Sequence, residues 1–463
     1  MAMRQSVDDQ QPARSGQAEP GGATVPTIAP APGPEAAAIA AEREPNPVLR
    51  FLRVLGPGLI TGASDDDPSG IGTYAVAGAS LGFATLWTAL VTFPLMAAVQ
   101  FVCAKVGMVS GRGLAGVLRE HYPRWLLYPT VVALVVANTI NVGADIGAIA
   151  AAINLLVPIP AVWFIVPIAA AILALQIFGS YRLIANIFKW LTLALFAYIA
   201  AAFFAHPDLG AVLHGTFVPT FSLDATFLTT LVAILGTTIS PYLFFWQSNQ
   251  VVEEEIAMGR TRLWQRKGAS DAELKYAAWD VNTGMLFSNL VMYFIILATA
   301  ATLFQAGQTN IASATDAAQA LRPIAGDAAG ILLALGLIGA GFLAVPILSG
   351  SAAYGVAEAF GWRHGLDRRP GHAREFYGVI AAATLIGMLI NFIGINPIDA
   401  LVWTAVINGF VAPPLMVLIM LIANNRTIMG ERTNSLPINV LGWLATAVMF
   451  AAAIALVVTW GQG

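Results

Sequence analysis

The sequence predicts an all-α membrane protein with eleven transmembrane helices, in which helices 1 and 6 are broken and the first ten form a 5+5 inverted repeat. Three observations predict this fold class. Of the 463 residues, 57% are hydrophobic and only 11% are charged, whereas about a quarter of a soluble domain is charged. Apolar runs recur along the chain, each near the roughly 20 residues that a helix needs to cross a bilayer. Proline and glycine interrupt two of these runs at corresponding places.

The predicted membrane elements follow residues 1–46, which are rich in Ala, Pro, Gly and charge and are expected to form a disordered cytoplasmic tail. Residues 47–463 are expected to form one transmembrane domain. The apolar runs that predict its spans are 54–77, 83–108, 125–153, 161–177, 183–205, 226–250, 277–304, 327–360, 376–393, 398–423 and 438–460.

The distribution of basic residues predicts the orientation of these spans. If the N-terminus is cytoplasmic, all but one of the 23 Lys and Arg residues fall on the cytoplasmic side, and Arg322 is the exception. We therefore expect a multi-pass protein of a bacterial-type inner (plasma) membrane with the C-terminus outside. The net charge of -3 gives no reason to expect a nucleic-acid partner. The single cysteine, Cys103, excludes a disulfide framework.

The first span is interrupted by three carboxylates and a proline, Asp65, Asp66, Asp67 and Pro68. Proline has no N–H, so Pro68 leaves the carbonyl of Ser64 without its helical partner. An ionised carboxylate inside a bilayer costs several kcal/mol and typically marks a route for a cation or a proton. Asp67, at the break, is the strongest candidate ligand. We expect Asp65 and Asp66 to line a solvated inner vestibule, with direct contact to an ion as the alternative.

The sixth span repeats this device between Gly236 and Pro241. Pro241 is expected to leave the carbonyl of Thr237 bare, and a bare carbonyl at that depth is a ready cation ligand. One proline alone would be read as a kink in a core helix. Two breaks at matching positions of two five-helix halves instead indicate an inverted-repeat transporter, and the eleventh span lies outside the repeat.

Polar residues on two other spans are further candidates for contact with an ion or for hydrogen bonds between helices. Asn138, Asn141 and Asp145 share one face of span three, and we expect interhelical hydrogen bonds from them in preference to an ion path. Asn408 on span ten is a candidate to complete the shell of an enclosed ion.

Four stretches together resemble the natural resistance-associated macrophage protein (Nramp) family of divalent metal transporters. The resemblance covers nearly the whole membrane domain and implies a leucine-transporter-type fold. The stretches are Gly56-Pro57-Gly58 with Asp67-Pro68-Ser69-Gly70, then Gly236 to Pro241, then Leu335 to Gly341, and finally Ile428 to Glu431 with Leu441 to Leu444.

The resemblance implies a metal site at Asp67, Gly70, Thr237 and Ser240. The family binds metal with Asp and Asn in span one and with a carbonyl and a Met thioether in span six. Here Gly70 stands at the Asn position and Ser240 at the Met position. A thioether suits softer transition metals, whereas carboxylate, carbonyl, hydroxyl and water suit hard cations. The pattern is similar to the Nramp-related magnesium transporter branch, which implies Mg²⁺ and also Mn²⁺ as transported ions, with no other cofactor.

The same comparison implies weak or absent proton coupling. Tyr242 and Gln247 replace the two span-six histidines of the family, and Val142 replaces one of two span-three acids, whereas Asp145 retains the other. A proton relay then has too few titratable groups. The alternative is a proton-coupled Mn²⁺/Fe²⁺ transporter in which these differences are neutral.

Rival functions fit the sequence less well. A cation-coupled amino acid carrier of the same fold would bind a substrate carboxylate where Asp65, Asp66 and Asp67 would repel it. An intramembrane aspartyl protease would need a second catalytic Asp in mid-span, which the sequence does not offer, so we expect no enzyme. A passive channel usually surrounds its filter symmetrically. We expect this chain, with its site between internal halves, to function as a monomer within the lipid bilayer.

Overall fold

The computed structural model describes residues 61–62, 64–179, 193–366 and 368–459, and the regular elements within these ranges are helices. The predicted tail at residues 1–46, the start of the first span with Gly56-Pro57-Gly58, and the first part of the fifth span lie outside the described residues.

The longer helices carry the labels used below. They are α1 (Pro68–Leu81), α2 (Trp87–Ser110), α3 (Leu114–His121), α4 (Arg124–Leu156), α5 (Val162–Phe178), α6 (Ala197–Phe204), α7 (Leu209–Phe217), α8 (Ala225–Thr238), α9 (Pro241–Ala257), α10 (Asp271–Thr299), α11 (Ala329–Phe360), α12 (Arg374–Ile390), α13 (Pro397–Asn424) and α14 (Leu436–Thr459). Short helical segments are Leu263–Arg266, Ala314–Ala318, Arg322–Ala325 and Arg426–Met429.

Each predicted span overlaps helical residues in the described part of the chain. Eight helical stretches are long and apolar enough to cross a membrane, and two further apolar helices, Val162–Phe178 and Ala194–Phe204, are shorter. The first span is described only from residue 61 onward. The count of eleven therefore stays a prediction, whereas the positions of the apolar helices agree with the sequence to within a few residues at most boundaries.

Two short helices were not predicted from the apolar runs. α3 and α7 have 8 and 9 residues and lie between predicted spans. The carboxylate of Glu358, near the end of α11, holds the start of α3 by accepting hydrogen bonds from the backbone N–H groups of Gly113 (2.7 Å) and Gly116 (3.1 Å). These N–H groups have no partner within their own helix. A carboxylate distant in sequence therefore stabilises α3, and a local pattern does not reveal it.

Packing of long helices positions the two interrupted segments. α4 and α11 share the most extensive helix contact of the described residues, and α8 packs along α13. At the α8–α13 contact the backbones approach closely, because a Cβ on Gly236 would lie only 2.1 Å from the carbonyl oxygen of Ala405 and 2.3 Å from the backbone nitrogen of Gly409. Glycine is therefore required at Gly236, one residue before the predicted ligand Thr237.

Candidate functional site

The first helix is broken at Asp67, as the sequence predicts. Residues 64–65 are helical, Asp67 has extended backbone, and α1 begins at Pro68. The Asp67 side chain caps α1, because its Oδ1 accepts hydrogen bonds from the backbone N–H of Gly70 and from the Ser69 hydroxyl, both at 2.7 Å. Proline at the first helical position costs no hydrogen bond, since that N–H would have no partner anyway. The break is therefore an ordinary capped helix N-terminus that lies within the first span, and its capping carboxylate is only 1% exposed.

The carbonyl freed by Pro68 has an unexpected partner. The Tyr242 hydroxyl, in the first turn of α9, donates a 2.8 Å hydrogen bond to the carbonyl oxygen of Ser64. Both residues are buried. Tyr242 stands where the resemblance places a family histidine, and its contact joins the two interrupted helices directly.

The second break separates α8 from α9 at residues 239–240, again as predicted. The Ser240 hydroxyl folds back and donates to the carbonyl oxygens of Thr237 (2.6 Å) and Gly236 (2.9 Å). The expectation of a bare Thr237 carbonyl was therefore wrong, because the side chain of Ser240 replaces the N–H that Pro241 lacks. A carbonyl oxygen has a second lone pair, so this hydrogen bond leaves it able to bind a cation.

The two breaks lie side by side. A Cβ placed on Gly70 would lie 3.2 Å from the Thr237 hydroxyl oxygen and 3.4 Å from Asp67 Oδ1. Three of the four predicted ligand positions, Asp67, Gly70 and Thr237, therefore meet at one point, and Ser240 is joined to them through the Thr237 carbonyl. The absence of a side chain at Gly70 is what leaves space between the carboxylate and the hydroxyl.

Asp65 and Asp66 do not line a solvated vestibule in this conformation, which corrects the expectation from sequence. They are 0% and 4% exposed. The hydroxyl of Ser288 on α10 contacts both carboxylates, at 2.6 Å from Asp65 Oδ2 and 3.2 Å from Asp66 Oδ1. Ser288 is one of several buried polar residues on α10, and nothing in its local pattern indicates that it would meet this pair.

The polar face of α4 points into the bundle, and the prediction of interhelical hydrogen bonds from it is confirmed. The Asn138 amide donates to the carbonyl of Leu348 on α11 at 2.9 Å. The Asn141 amide donates to Asp67 Oδ2 at 2.9 Å and lies 3.3 Å from Asp145 Oδ2. Asn141 therefore bridges the Asp67 carboxylate at the break and the buried Asp145 carboxylate. The polar face of α4 thus also orients the Asp67 side chain.

Asn408 on α13 is 1% exposed, and within the described part of the chain neither polar atom of its amide has a hydrogen-bond partner. Its neighbour Gly409 is the residue that contacts α8 at Gly236. Buried amides are nearly always hydrogen-bonded, so an amide in this position fits a role toward a ligand or bound water.

Two cavities lie on either side of the interrupted segments. One, of about 270 Å³, is lined by residues of α1 including Ile71, by Asn154 near the end of α4, and by Asn396, which caps the start of α13. The other, of about 30 Å³, is lined by Gln247 and by acidic residues of α9 and α10 such as Glu255. Asp67 is among the lining residues of neither of these two cavities, and its side chain is only 1% exposed.

The ligand atoms available near Asp67 limit which cations the site can bind. Among the described residues, no group of three or more His, Cys, Asp and Glu side chains is spaced to hold a metal ion. A cation beside Asp67 would therefore depend on backbone carbonyls, hydroxyls and water as well as on one carboxylate. These are all oxygen ligands, which suit hard cations.

Known proteins match this chain over most of its length. The sequence model of a family described as "Natural resistance-associated macrophage protein-like" matches residues 58–459. The divalent metal cation transporter MntH of Deinococcus radiodurans is 28% identical over 417 residues, which cover 88% of this chain and 90% of that protein.

Solved structures show the same fold. A manganese transporter of Eremococcus coleocola, in complex with an aromatic bis-isothiourea substituted compound, has a TM-score of 0.68 at 17% identity and covers 90% of this chain and 88% of its own. Mhp1, a nucleobase-cation-symport-1 family transporter in a closed conformation with bromovinylhydantoin bound, has a TM-score of 0.54 at 14% identity, covering 87% and 92%. The expected leucine-transporter-type fold with two broken helices is confirmed.

Proposed function

The chain belongs to the Natural resistance-associated macrophage protein-like family of membrane transporters, and we propose that it moves a divalent metal cation across the membrane, with Mg²⁺ preferred and Mn²⁺ also carried. One observation carries the proposal. The two helix breaks bring a single carboxylate, Asp67, against Gly70 and the Thr237 hydroxyl, and the ligands offered there are all oxygens.

The choice of Mg²⁺ follows from ligand type and space. In this proposal the ion is held by Asp67, the carbonyl of Thr237 and the hydroxyl of Ser240, and the position of Gly70 leaves room for water. Mg²⁺ prefers oxygen ligands in octahedral geometry and gives up its water reluctantly. A site without a thioether and with two small residues therefore suits a partly hydrated ion.

Orphaned oxygens around the break support a hydrated ion. Within the described residues, Asp65 Oδ1, Asn141 Oδ1 and Asp145 Oδ1 are buried and have no hydrogen-bond partner. Such atoms are costly to leave unsatisfied. The water ligands of a bound cation are hydrogen-bond donors, and these three acceptors lie on segments that meet at Asp67.

We further infer that transport is weakly coupled to protons or not coupled. Tyr242 donates to the Ser64 carbonyl, and the Gln247 amide accepts a 2.7 Å hydrogen bond from the Thr61 hydroxyl. Both positions therefore serve as hydrogen-bond partners of the first helix, and neither side chain is a neutral-pH titrating group like histidine. A membrane potential of 100 mV, inside negative, supplies about 2.3 kcal/mol per unit charge, which favours inward movement of a divalent cation without a proton gradient.

A proton-coupled Mn²⁺/Fe²⁺ transporter is the second candidate, and one observation favours it. Asp145 is a buried carboxylate joined to Asp67 through Asn141. One of the two acidic residues that the family carries on span three is therefore present and linked to the site. The named relatives are a divalent metal cation transporter and a manganese transporter. Measurement of the transported ion together with internal pH separates the two candidates.

The test is uptake into proteoliposomes that contain the purified protein, with Mg²⁺, Mn²⁺, Fe²⁺ and Ca²⁺ compared and internal pH followed by an enclosed dye. We expect uptake of Mg²⁺ and Mn²⁺ that depends on an inside-negative potential and leaves internal pH unchanged. Preference for Fe²⁺ over Mg²⁺, or acidification in proportion to metal uptake, would establish the second candidate instead.

The site itself is tested with Asp67→Asn. Asparagine caps a helix as well as aspartate does, so the variant keeps the α1 start while losing the negative charge. We expect folded protein in normal yield and no uptake. Asp208→Asn is the matched control, because Asp208 caps α7 in the same way, with its Oδ1 2.8 Å from the backbone nitrogen of Gly210. Wild-type uptake by Asp67→Asn would remove Asp67 from the site.

The remaining features of the proposal concern the membrane setting. We infer a bacterial-type inner membrane with a cytoplasmic N-terminus and an external C-terminus, because only Arg322 departs from the positive-inside pattern. We infer a functional monomer, because the proposed site lies between two halves of one chain. Labelling of single introduced cysteines in intact cells tests the orientation. Cys103 is buried and gives little background.

A further inference from the structure

A cavity of about 350 Å³ lies where α11 ends and α12 begins, apart from the transport site. Its lining residues are Trp362, Arg363, Gly371, His372, Arg374 and Glu375. Among the described residues, neither of the two arginines has an ion-pair partner within 4 Å. Two arginines and a histidine line the cavity together with one carboxylate, Glu375, so the cavity favours an anion.

The backbone adds to this preference. α12 begins at Arg374, and Ala373 before it provides no side-chain cap. The first N–H groups of a helix have no partner within the helix, and the helix dipole places partial positive charge at that end. Guanidinium groups bind phosphate oxygens in pairs of parallel hydrogen bonds. Phosphate is therefore the anion that this combination of donors suits best.

An exposed apolar surface leads into the same cavity. Along α4, Trp125, Tyr128, Val132 and Val136 are 37–70% exposed at helical spacing, which defines a lipid-facing stripe. The Tyr128 ring stacks on Phe360 at 5.8 Å between centroids, and Phe360 stacks on Trp362 at 5.0 Å. Exposed aromatic rings are typical of the level at which lipid headgroups lie. The stripe therefore passes from the acyl-chain region to the basic cavity without interruption.

We propose that this cavity binds the phosphate group of an anionic phospholipid from the cytoplasmic leaflet. Arg363, Arg374 and the start of α12 contact the phosphate, Trp362 lies against the glycerol region, and an acyl chain follows the aromatic rings onto α4. Trp362 is the link between the two surfaces, since it lines the cavity and also ends the stack. Basic pockets between membrane helices are known to bind lipid headgroups in this manner.

The geometry favours a lipid over a soluble phosphate ester. A site for a soluble ligand would not need a continuous apolar surface, and three exposed stacked rings would be an unfavourable surface for water. The cavity also lies on the side where the basic residues are concentrated, which is the side of the anionic leaflet.

The experiment is native mass spectrometry of the delipidated full-length protein, titrated separately with phosphatidylglycerol, with phosphatidylcholine and with inorganic phosphate. We expect phosphatidylglycerol to bind more tightly than phosphatidylcholine by about tenfold or more. In the double variant Arg363→Gln and Arg374→Gln, phosphatidylglycerol should bind roughly thirtyfold more weakly, because two cationic contacts are lost. Arg426→Gln, which alters another exposed arginine outside this cavity, is the control and should bind as the wild type does.

Three outcomes would overturn the proposal. The first is equal binding of the two lipids by the wild type. The second is equal binding of phosphatidylglycerol by the double variant and by Arg426→Gln. The third is displacement of bound phosphatidylglycerol by inorganic phosphate, which would assign the cavity to a soluble ligand.

Discussion

The hydrogen bond from Tyr242 to the Ser64 carbonyl allows a sharp prediction, because one hydroxyl satisfies the carbonyl that Pro68 leaves free. In Tyr242→Phe the ring remains and only the donor is lost. The Ser64 carbonyl lies on a segment that is 0% exposed, so water cannot replace the lost donor. The expected loss in free energy of unfolding lies between about 0.6 kcal/mol, the average for a hydrogen bond between membrane helices, and about 3 kcal/mol, the upper cost of removing the donor from a buried acceptor.

The assay is reversible unfolding of the purified protein in mixed micelles by titration with sodium dodecyl sulfate. Tyr198→Phe is the matched control, since Tyr198 is also 0% exposed and its hydroxyl has no hydrogen-bond partner among the described residues. Removing an unpartnered hydroxyl should leave stability unchanged or slightly higher. If Tyr242→Phe unfolds with the same free energy as Tyr198→Phe, the bond between the two broken helices does not stabilise the protein and the reasoning fails.

Three further predictions follow from packing and buried polar contacts. Gly236→Ala should reduce folded yield and cost about 1–3 kcal/mol or more, because its Cβ would meet the Ala405 carbonyl; Gly330→Ala, which has open space around it, should be neutral or stabilise by up to about 1 kcal/mol. Ser288→Ala should lower the unfolding free energy by about 1–3 kcal/mol, since two carboxylates lose a shared donor. Glu358→Gln should cost about 1 kcal/mol and increase hydrogen exchange in α3; unchanged exchange would contradict that role.

The sequence predicted the large features well because each has a local cause. A run of apolar residues predicts a membrane helix wherever it occurs, and Pro68 and Pro241 interrupt a helix regardless of what surrounds them. The spacing of Asn138 and Asn141 predicts a shared face by helical geometry alone. Positions of spans, breaks and polar faces could therefore be read without knowledge of the packing.

Contacts between distant segments could not be read in this way. Ser288 is more than two hundred residues from Asp65 in sequence, and no local pattern indicates that its hydroxyl would meet that carboxylate. The Ser240 hydroxyl was expected to serve only as a possible ligand, yet it also caps the Thr237 carbonyl. One further contact does have a local signal: Asp67-Pro68 is the pattern of a helix N-cap followed by proline, which predicts that Asp67 caps α1.

Each carbonyl that a proline releases in the two broken helices already has a hydroxyl bound to it, from Tyr242 at Ser64 and from Ser240 at Thr237. The unwound segments therefore keep their conformation without a bound ion. Little of the free energy of ion binding is then spent on ordering the backbone. Differences in binding free energy between two ions are therefore expressed fully as selectivity. A preorganised site of this kind can select against another ion of the same charge by its size and hydration alone.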